Sequence, residues 1–379
     1  MDRQRTELEQ EAAAPLLPAD EVAARFTLVP NDAARTAAQY QEAMSNLRFG
    51  EVFTDYMAYA RWDHGKGWHG QTITPYGPIA ISPAAAVLHY GQEVFEGLKA
   101  YRHDDGSIWT FRPGYNAVRL NASARRMAIP ELPVDDFLAS IVGLVRADAR
   151  WVPAEPGSSL YLRPFVVATE PFLGIRAARN YEYYVIASPS GPYFAKGFSP
   201  IAVWVDQEYH RAGPGGTGAA KTAGNYAASL LPKVRAAENG FDEVLFLDAA
   251  NNETIDELGG MNVFVVMRDG SVRTPALSGN ILPGGTRSAI MDYLADQGVT
   301  VTEMPIKLSD LVAGIESGEV AEMFACGTAA VITAIGRLAG AGFDVTVPVG
   351  EMTRRIYQGI TDIQLGRTPD RFGWLYQIA

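Results

Sequence analysis

Along the first half of the chain, apolar and polar positions alternate in short bursts, a period of two that reads as strand. The stretch Phe49 to Ala60, with Val52, Phe53, Tyr56, Met57 and Tyr59, predicts the first strand, and Trp62-Asp63-His64-Gly65-Lys66-Gly67 predicts a turn after it. A second extended piece, Gln71 to Ile81, is interrupted by Pro75 and Pro78, which suits a sheet edge. Leu88 to Gly97 reads as a short helix stopped by its glycine. Leu98 to Tyr101 and Ile108 to Phe111, joined through Asp104-Asp105-Gly106, predict a hairpin. The period then lengthens towards 3.6 over Asn116 to Met127 and Phe137 to Ala149, two helices, before Tyr161 to Thr169 and Tyr183 to Ala187 return to strand. Beyond Ser188-Pro189-Ser190-Gly191-Pro192 the strands Ile201 to Val205, Val244 to Leu247 and Val263 to Met267 are interspersed with helices over Ala227 to Ala237, Ser288 to Gln297 and Leu308 to Glu316. This pattern predicts an α+β protein with a poorly ordered leader over 1–30, a smaller domain over 31–188, an interdomain loop over 189–200 and a larger domain over 201–379, with a ligand held between the two domains.

Composition narrows the chemistry. The 379 residues suffice for two domains and a large core. A formal net charge of -11 argues against non-specific binding to nucleic acid or anionic membrane, so an anionic ligand must be held by local cations. The single cysteine, Cys326, excludes an intrachain disulfide framework and a cysteine-rich metal site, and fits a reducing cytoplasm. Residues 1–30 carry Glu7, Glu9, Glu11, Asp20 and Glu21 without an apolar core, unlike a secretory signal, and no apolar run reaches the ~18 residues of a membrane span. The histidines at 64, 69, 89, 103 and 210 lack metal-ligand spacing, so no metal is expected, and no G-x-S-x-G motif occurs.

One stretch stands apart: Arg211-Ala-Gly-Pro-Gly-Gly-Thr-Gly-Ala-Ala-Lys221-Thr-Ala-Gly-Asn-Tyr226. Its four glycines allow positive φ and close approach, and a lone cation follows them. A phosphate loop would place the lysine directly after the last glycine, but Ala219 and Ala220 intervene. A dinucleotide fingerprint needs a strand running straight into it, whereas the apolar run Ile201 to Val205 ends at Asp206-Gln207-Glu208. A lysine that forms a Schiff base with pyridoxal phosphate suits the pattern better, while a solvated loop lysine remains the bland alternative. Glu257, just before an apolar strand, could keep a pyridine nitrogen protonated or could be a turn glutamate. Leu282-Pro-Gly-Gly-Thr-Arg287 opens a helix, Cys326-Gly-Thr-Ala-Ala330 is small and hydroxyl-bearing, and Arg112 could add a counter-charge for phosphate.

Taken together, Leu88-His-Tyr-Gly-Gln-Glu-Val-Phe-Glu-Gly97, Leu160-Tyr-Leu-Arg-Pro164, Glu170-Pro-Phe-Leu-Gly174, Gly215-Gly-Thr-Gly-Ala-Ala-Lys221, Gly224-Asn-Tyr226, Glu257-Leu-Gly-Gly-Met-Asn262, Leu282 to Arg287 and Gly327-Thr-Ala329 resemble the branched-chain amino acid aminotransferases, of the actinobacterial kind. The resemblance implies a two-domain fold type IV pyridoxal-phosphate enzyme, similar to D-amino acid aminotransferase, with the cofactor between the domains. It makes Lys221 the catalytic, cofactor-bearing lysine and Glu257 the partner of the pyridine nitrogen. Tyr226 would bond the phenolic oxygen with Arg211 nearby, and Arg112, Gly285, Thr286, Gly327 and Thr328 would hold the phosphate. Tyr90 and the Thr328 and Ala329 amides would take the substrate α-carboxylate. Phe49, Phe95, Tyr161, Tyr226, Gly260 and Met261 would wall the side-chain pocket, and Arg163 would accept a distal carboxylate. Leu173 and Ile175 would reach the partner subunit's site, implying a homodimer of a cytoplasmic enzyme.

The implied reaction is ping-pong transfer from L-leucine, L-isoleucine or L-valine to 2-oxoglutarate. The alternatives are a D-amino acid transaminase, an aminodeoxychorismate lyase, a nucleotide-binding module using residues 213–218, or a non-enzymatic carrier. Two departures stand out. Gly285 replaces the aliphatic residue of relatives, which would loosen the phosphate amides and weaken cofactor retention. Ala330 and Thr333 stand where the mammalian C-x-x-C would be.

Overall fold

A computed structural model describes residues 3–191 and 199–379, and the expected interdomain loop falls largely outside the described residues. The chain forms two compact units. One comprises Leu8–Ala195, Ala220–Ala223 and Asp362–Ala379, the other Met1–Glu7, Lys196–Ala219 and Gly224–Thr361.

The first unit is built on a sheet whose strands run in the order Thr27–Leu28, Gly67–Pro75, Tyr56–Asp63, Asn180–Ser190, Ser159–Ala168, Leu98–Arg102, Ile108–Phe111 and Leu375–Gln377. Glu93–Phe95 adds to Ser159–Ala168 with Glu93 opposite Val167 and Phe95 opposite Phe165. Helix Val134–Ala147 buries Phe137, Leu138, Ile141, Val142, Leu144 and Val145 in the core of this unit and keeps Asp135 and Asp136 in its first turn, where they complement the dipole. Helix Pro113–Arg126 begins with proline at its first position, which needs no amide there.

Three expectations change here. The chain past Tyr90 is not helical, because Gly91 takes a left-handed conformation (φ 58) that closes helix Ala86–Tyr90, and the β-favouring Val94 and Phe95 continue as strand. The leader expected to be poorly ordered instead forms helices Arg3–Ala12 and Ala19–Ala23 and strand Thr27–Leu28, with Leu8, Val22 and Phe26 buried. Its charged residues masked three apolar anchors. The unit also recovers the last 18 residues and the tetrad containing Lys221, so it is not continuous in sequence.

The second unit is built on a sheet in the order Ile255–Leu258, Glu243–Leu247, Ile201–Asp206, Val331–Gly340, Val320–Gly327, Asn262–Met267, Val272–Thr274 and Val301–Glu303, with Phe343–Thr346 on Val331–Gly340. Asn262–Met267 is buried along its whole length, as a strand covered on both faces must be. Helices Ala223–Glu238, Gly285–Asp296 and Leu308–Ser317 match the expected ones to within four residues at each end.

Candidate active site

In the first unit, Lys221 is fixed through its backbone. Its amide donates to Ser123 Oγ at 2.9 Å, and its carbonyl accepts from the Phe95 amide at 3.0 Å. Its Nζ lies 4.8 Å from the Phe95 ring centroid, and the Arg163 guanidinium lies at the same distance from that ring. Arg163 Nη2 donates to the Tyr161 hydroxyl at 2.9 Å, while its buried Nε has no hydrogen-bond partner. Phe49 packs edge-on against Tyr161 with centroids 4.8 Å apart. A Cβ on Gly97 would collide with the Tyr161 hydroxyl, which explains the glycine there. Phe49, Phe95, Tyr161, Arg163 and Lys221 are thus neighbours in one linked set.

Four further residues, Glu93, Glu96, Asn116 and Arg119, escaped the sequence reading. Glu96 is fully buried, and its carboxylate accepts from Arg119 Nε at 2.7 Å, Arg119 Nη2 at 2.8 Å and Asn116 Nδ2 at 2.8 Å. Burial opposes ionisation of Glu96, but Arg119, Lys221 and Asn116 together hold its carboxyl below the usual range. Glu93 accepts from the Ala223 amide and the Thr222 hydroxyl, the residues that follow Lys221. Burial pushes the Glu93 carboxyl up, against these bonds and the charges of Arg163 and Lys221. The signal was two acids spaced three apart in an otherwise apolar run.

Arg112 immediately precedes helix Pro113–Arg126. Its Nη2 binds both carboxylate oxygens of Glu9, at 2.9 and 2.7 Å, and its guanidinium stacks over Tyr115 and Trp374. With Glu9, Tyr115 and Trp374 it lines a cavity of about 420 Å³. Ser123 lies eleven residues further along the helix, roughly 16 Å at 1.5 Å per residue. Arg119 is one turn from Ser123, the residue that holds the Lys221 amide.

Tyr90 donates to the Leu173 carbonyl and thereby joins the 170–175 loop, which Glu170 pins to Arg176 at 2.7 Å. Leu173 and Ile175 are 60% and 92% exposed, too much apolar surface to leave in water without a reason.

In the second unit, Arg211 Nη1 pairs with Glu257 Oε1 at 2.8 Å and donates to the Asn280 carbonyl at 2.9 Å. The Leu282 amide and Asn262 Nδ2 also donate to the Glu257 carboxylate, at 2.8 and 2.9 Å, fixing a buried acid in one orientation. Arg211 Nε is buried without a partner. Among the four glycines of the loop only Gly215 has positive φ, 75°, whereas Gly218 is required because a Cβ would strike the Asn280 backbone. Tyr226, Gly260, Met261 and Gly327 lie together: a Cβ on Gly260 would sit 4.0 Å from the Tyr226 ring, and one on Gly327 would sit 3.2 Å from Met261 Cγ.

Gly285 and Thr286 begin helix Gly285–Asp296, whose N-terminus has no side-chain cap. Thr328 and Ala329 form the turn between strands Val320–Gly327 and Val331–Gly340. Val331 closes that turn at φ 60, a conformation costly for a β-branched residue. Neither unit contains a metal-binding group of histidine, cysteine or acidic residues among the described residues.

The family model for amino-transferase class IV matches residues 93–338. A branched-chain-amino-acid aminotransferase of Mycolicibacterium smegmatis is 48% identical over 360 residues, covering 93% of this chain and 98% of that one. Among solved structures, the branched-chain amino acid aminotransferase of Escherichia coli superposes with a TM-score of 0.71 at 28% identity, covering 86% of this chain and 99% of its own. The branched-chain aminotransferase of the thermophilic archaeon Thermoproteus uzoniensis, solved with norvaline, gives a TM-score of 0.70 at 26% identity, covering 85% of this chain and 100% of its own.

Proposed function

This chain belongs to the branched-chain-amino-acid aminotransferases of amino-transferase class IV, and from that membership we propose how its own residues divide the work of a pyridoxal-phosphate-dependent transaminase. The substrates are L-leucine, L-isoleucine or L-valine and 2-oxoglutarate, interconverted with the branched 2-oxo acids and L-glutamate. The residues present fit the cofactor: a buried acid oriented by three donors, an unsatisfied Arg211 Nε beside it, a helix N-terminus without a side-chain cap and two glycines with no side chain to obstruct a flat ring. When bound, the cofactor supplies an electron sink that stabilises negative charge at the substrate Cα.

Lys221 Nζ takes the proton from that Cα. Glu257 keeps the ring nitrogen protonated, and Arg211 and Asn262 keep Glu257 in place. Tyr226 bonds the phenolic oxygen. The Gly285 and Thr286 amides, with Gly327 and Thr328, hold the phosphate at a positive helix end. Arg112, at the start of helix Pro113–Arg126, supplies the accompanying guanidinium by exchanging its pair with the partly exposed Glu9 for the phosphate, whereas Arg119 is held by the fully buried Glu96. Phe49, Phe95, Tyr161, Gly260 and Met261 line the side-chain pocket. Arg163, with an unspent Nε, receives the distal carboxylate of glutamate. The Thr328 and Ala329 amides take the α-carboxylate.

The exposure of Leu173 and Ile175 supports a homodimer, and the bond from Tyr90 to Leu173 makes Tyr90 travel with the same loop to the partner's site. No helix among the described residues is long and apolar enough to cross a membrane, and we place the enzyme in the cytoplasm on its single buried cysteine.

The single observation that carries the reading is Lys221, held by its backbone against Phe95 and Ser123 with its amine over an aromatic face. Purified protein should be yellow and lose that absorbance on addition of L-leucine but not of D-alanine. Lys221→Ala should lose both the band and turnover. A variant with normal turnover would show that the base lies elsewhere.

A further inference from the structure

Arg112 is set up to receive an anion, and the anion it holds comes from an N-terminal helix of the same chain. Its backbone is fixed: the residue takes a left-handed conformation (φ 52), rare for a residue with a side chain, and its amide donates to the Trp374 carbonyl at 2.6 Å. Its buried guanidinium lies 4.8 and 5.5 Å from the Tyr115 and Trp374 ring centroids. A guanidinium so enclosed needs a counter-charge, and only its side chain can change partner. Glu9 supplies that charge through both carboxylate oxygens. Unlike Glu96, the fully buried partner of Arg119, Glu9 is partly exposed and sits on helix Arg3–Ala12, which Leu8 docks against Tyr115 and Val118.

We propose that Glu9 is a built-in competitor for the cofactor phosphate: its carboxylate neutralises Arg112 until the cofactor binds, and helix Arg3–Ala12 loosens as the phosphate takes its place. The proposal rests on the transaminase reading above and on Arg112 as the phosphate guanidinium. The exchange runs towards the phosphate because a phosphate monoester carries about -1.5 to -2 charges at neutral pH and offers three strong acceptor oxygens, against the single charge of a carboxylate. The cavity of about 420 Å³ that Glu9 and Arg112 line together gives the departing carboxylate room. The helix then keeps Leu8 and the exposed pair of Glu11 with Arg125 but loses a buried polar anchor. A helix of ten residues is marginal by itself, so that loss is felt as local opening. The coupling is reciprocal: whatever the pair of Glu9 and Arg112 adds to helix docking is subtracted from cofactor binding.

The test measures binding to the full chain stripped of cofactor, using pyridoxamine 5'-phosphate, which forms no Schiff base with Lys221, and pyridoxamine, which lacks the phosphate. Glu9→Gln keeps the side-chain length and removes the charge, and Glu11→Gln removes an equal charge from the same helix outside the pair with Arg112. By calorimetry, Glu9→Gln should bind pyridoxamine 5'-phosphate roughly fivefold more tightly than wild type, the scale of a partly exposed ion pair. Its affinity for pyridoxamine, and both affinities of Glu11→Gln, should match the wild type. In the wild type, the amides of helix Arg3–Ala12 should exchange hydrogen faster once the phosphate-bearing ligand is bound, the reverse of ordinary protection by a ligand. Unchanged or weaker binding by Glu9→Gln, an equal gain with pyridoxamine or in Glu11→Gln, or slower exchange in the helix on loading overturns the proposal while leaving the transaminase reading intact. Failure of the phosphate-bearing ligand to bind wild type and variants alike would remove that reading and the proposal with it.

Discussion

The Glu96–Arg119 pair shows why a buried ion pair is informative even where its net contribution to stability is small. Both partners are nearly inaccessible, at 0% and 4% exposure, and the pair lies one helical turn from the serine that holds the Lys221 amide. Removing one partner strands a charge in the core, which costs about 3–5 kcal/mol, whereas replacing both by apolar groups of similar volume can be neutral. Glu96→Ala should therefore lower the urea midpoint sharply, and Glu96→Ala combined with Arg119→Met should recover much of it. A double variant no more stable than Glu96→Ala would show that the loss does not come from the stranded charge of Arg119. Cys326 behaves differently, as an inert core residue. Burial pushes its thiol up to about 12, against the charge of Arg287, so iodoacetamide should label it only after unfolding.

At the scale of elements, Asp148 couples the end of helix Val134–Ala147 to the strand beginning at Tyr56, whose amide donates to it at 3.0 Å. Burial, with repulsion from Asp55, pushes its carboxyl to about 6, against bonds from Thr54 and Tyr56. A folded-state value above the unfolded one means that the folded protein binds the proton more tightly. This contribution to stability is therefore complete below about pH 4 and disappears as pH rises to about 6, a change of about 3 kcal/mol. The urea stability of wild-type protein relative to Asp148→Asn should fall across that window and level off above it; a constant difference would contradict the assignment.

The same elements show where the sequence was legible. Strong periodicity located the helix around Phe137 to Ala147 and the strands around Tyr161, Tyr183 and Val263, and local glycine chemistry located the lysine loop. Strand Glu93–Phe95 was missed because three residues are too few to show a period against the helical signal preceding Gly91. Arg119 was missed because a polar residue on an amphipathic helix looks solvated until its buried partner, 23 residues away in sequence, is known. The pairing of Arg112 with Glu9 was equally invisible, because the two lie 103 residues apart in sequence.

At the scale of the whole molecule, the N-terminal segment is the clearest case of composition concealing a structural role. Its acids and arginines resemble a solvated tail, yet Val22 is fully buried and Leu8 and Phe26 are 6% and 5% exposed. Val22 and Phe26 enter the core that includes Ile73, Leu144 and Val145, and Leu8 packs with Tyr115 and Val118 on the helix that also carries Arg119 and Ser123. Burial of three such side chains contributes roughly 5–9 kcal/mol in total, taking about 1.5–3 kcal/mol each. A domain has a net stability of only about 5–15 kcal/mol, so the loss cannot be absorbed easily. A chain lacking residues 1–30 should aggregate or unfold at a markedly lower urea concentration than the full chain, and Glu9→Gln should do so only slightly because Glu9 is 27% exposed in its pair with Arg112. The mechanism also sets an order among point changes: Phe26→Ala and Val22→Ala should each exceed Glu9→Gln in urea midpoint shift. A truncated chain with an unchanged midpoint would mean that the three anchors are covered by something other than the core they enter here.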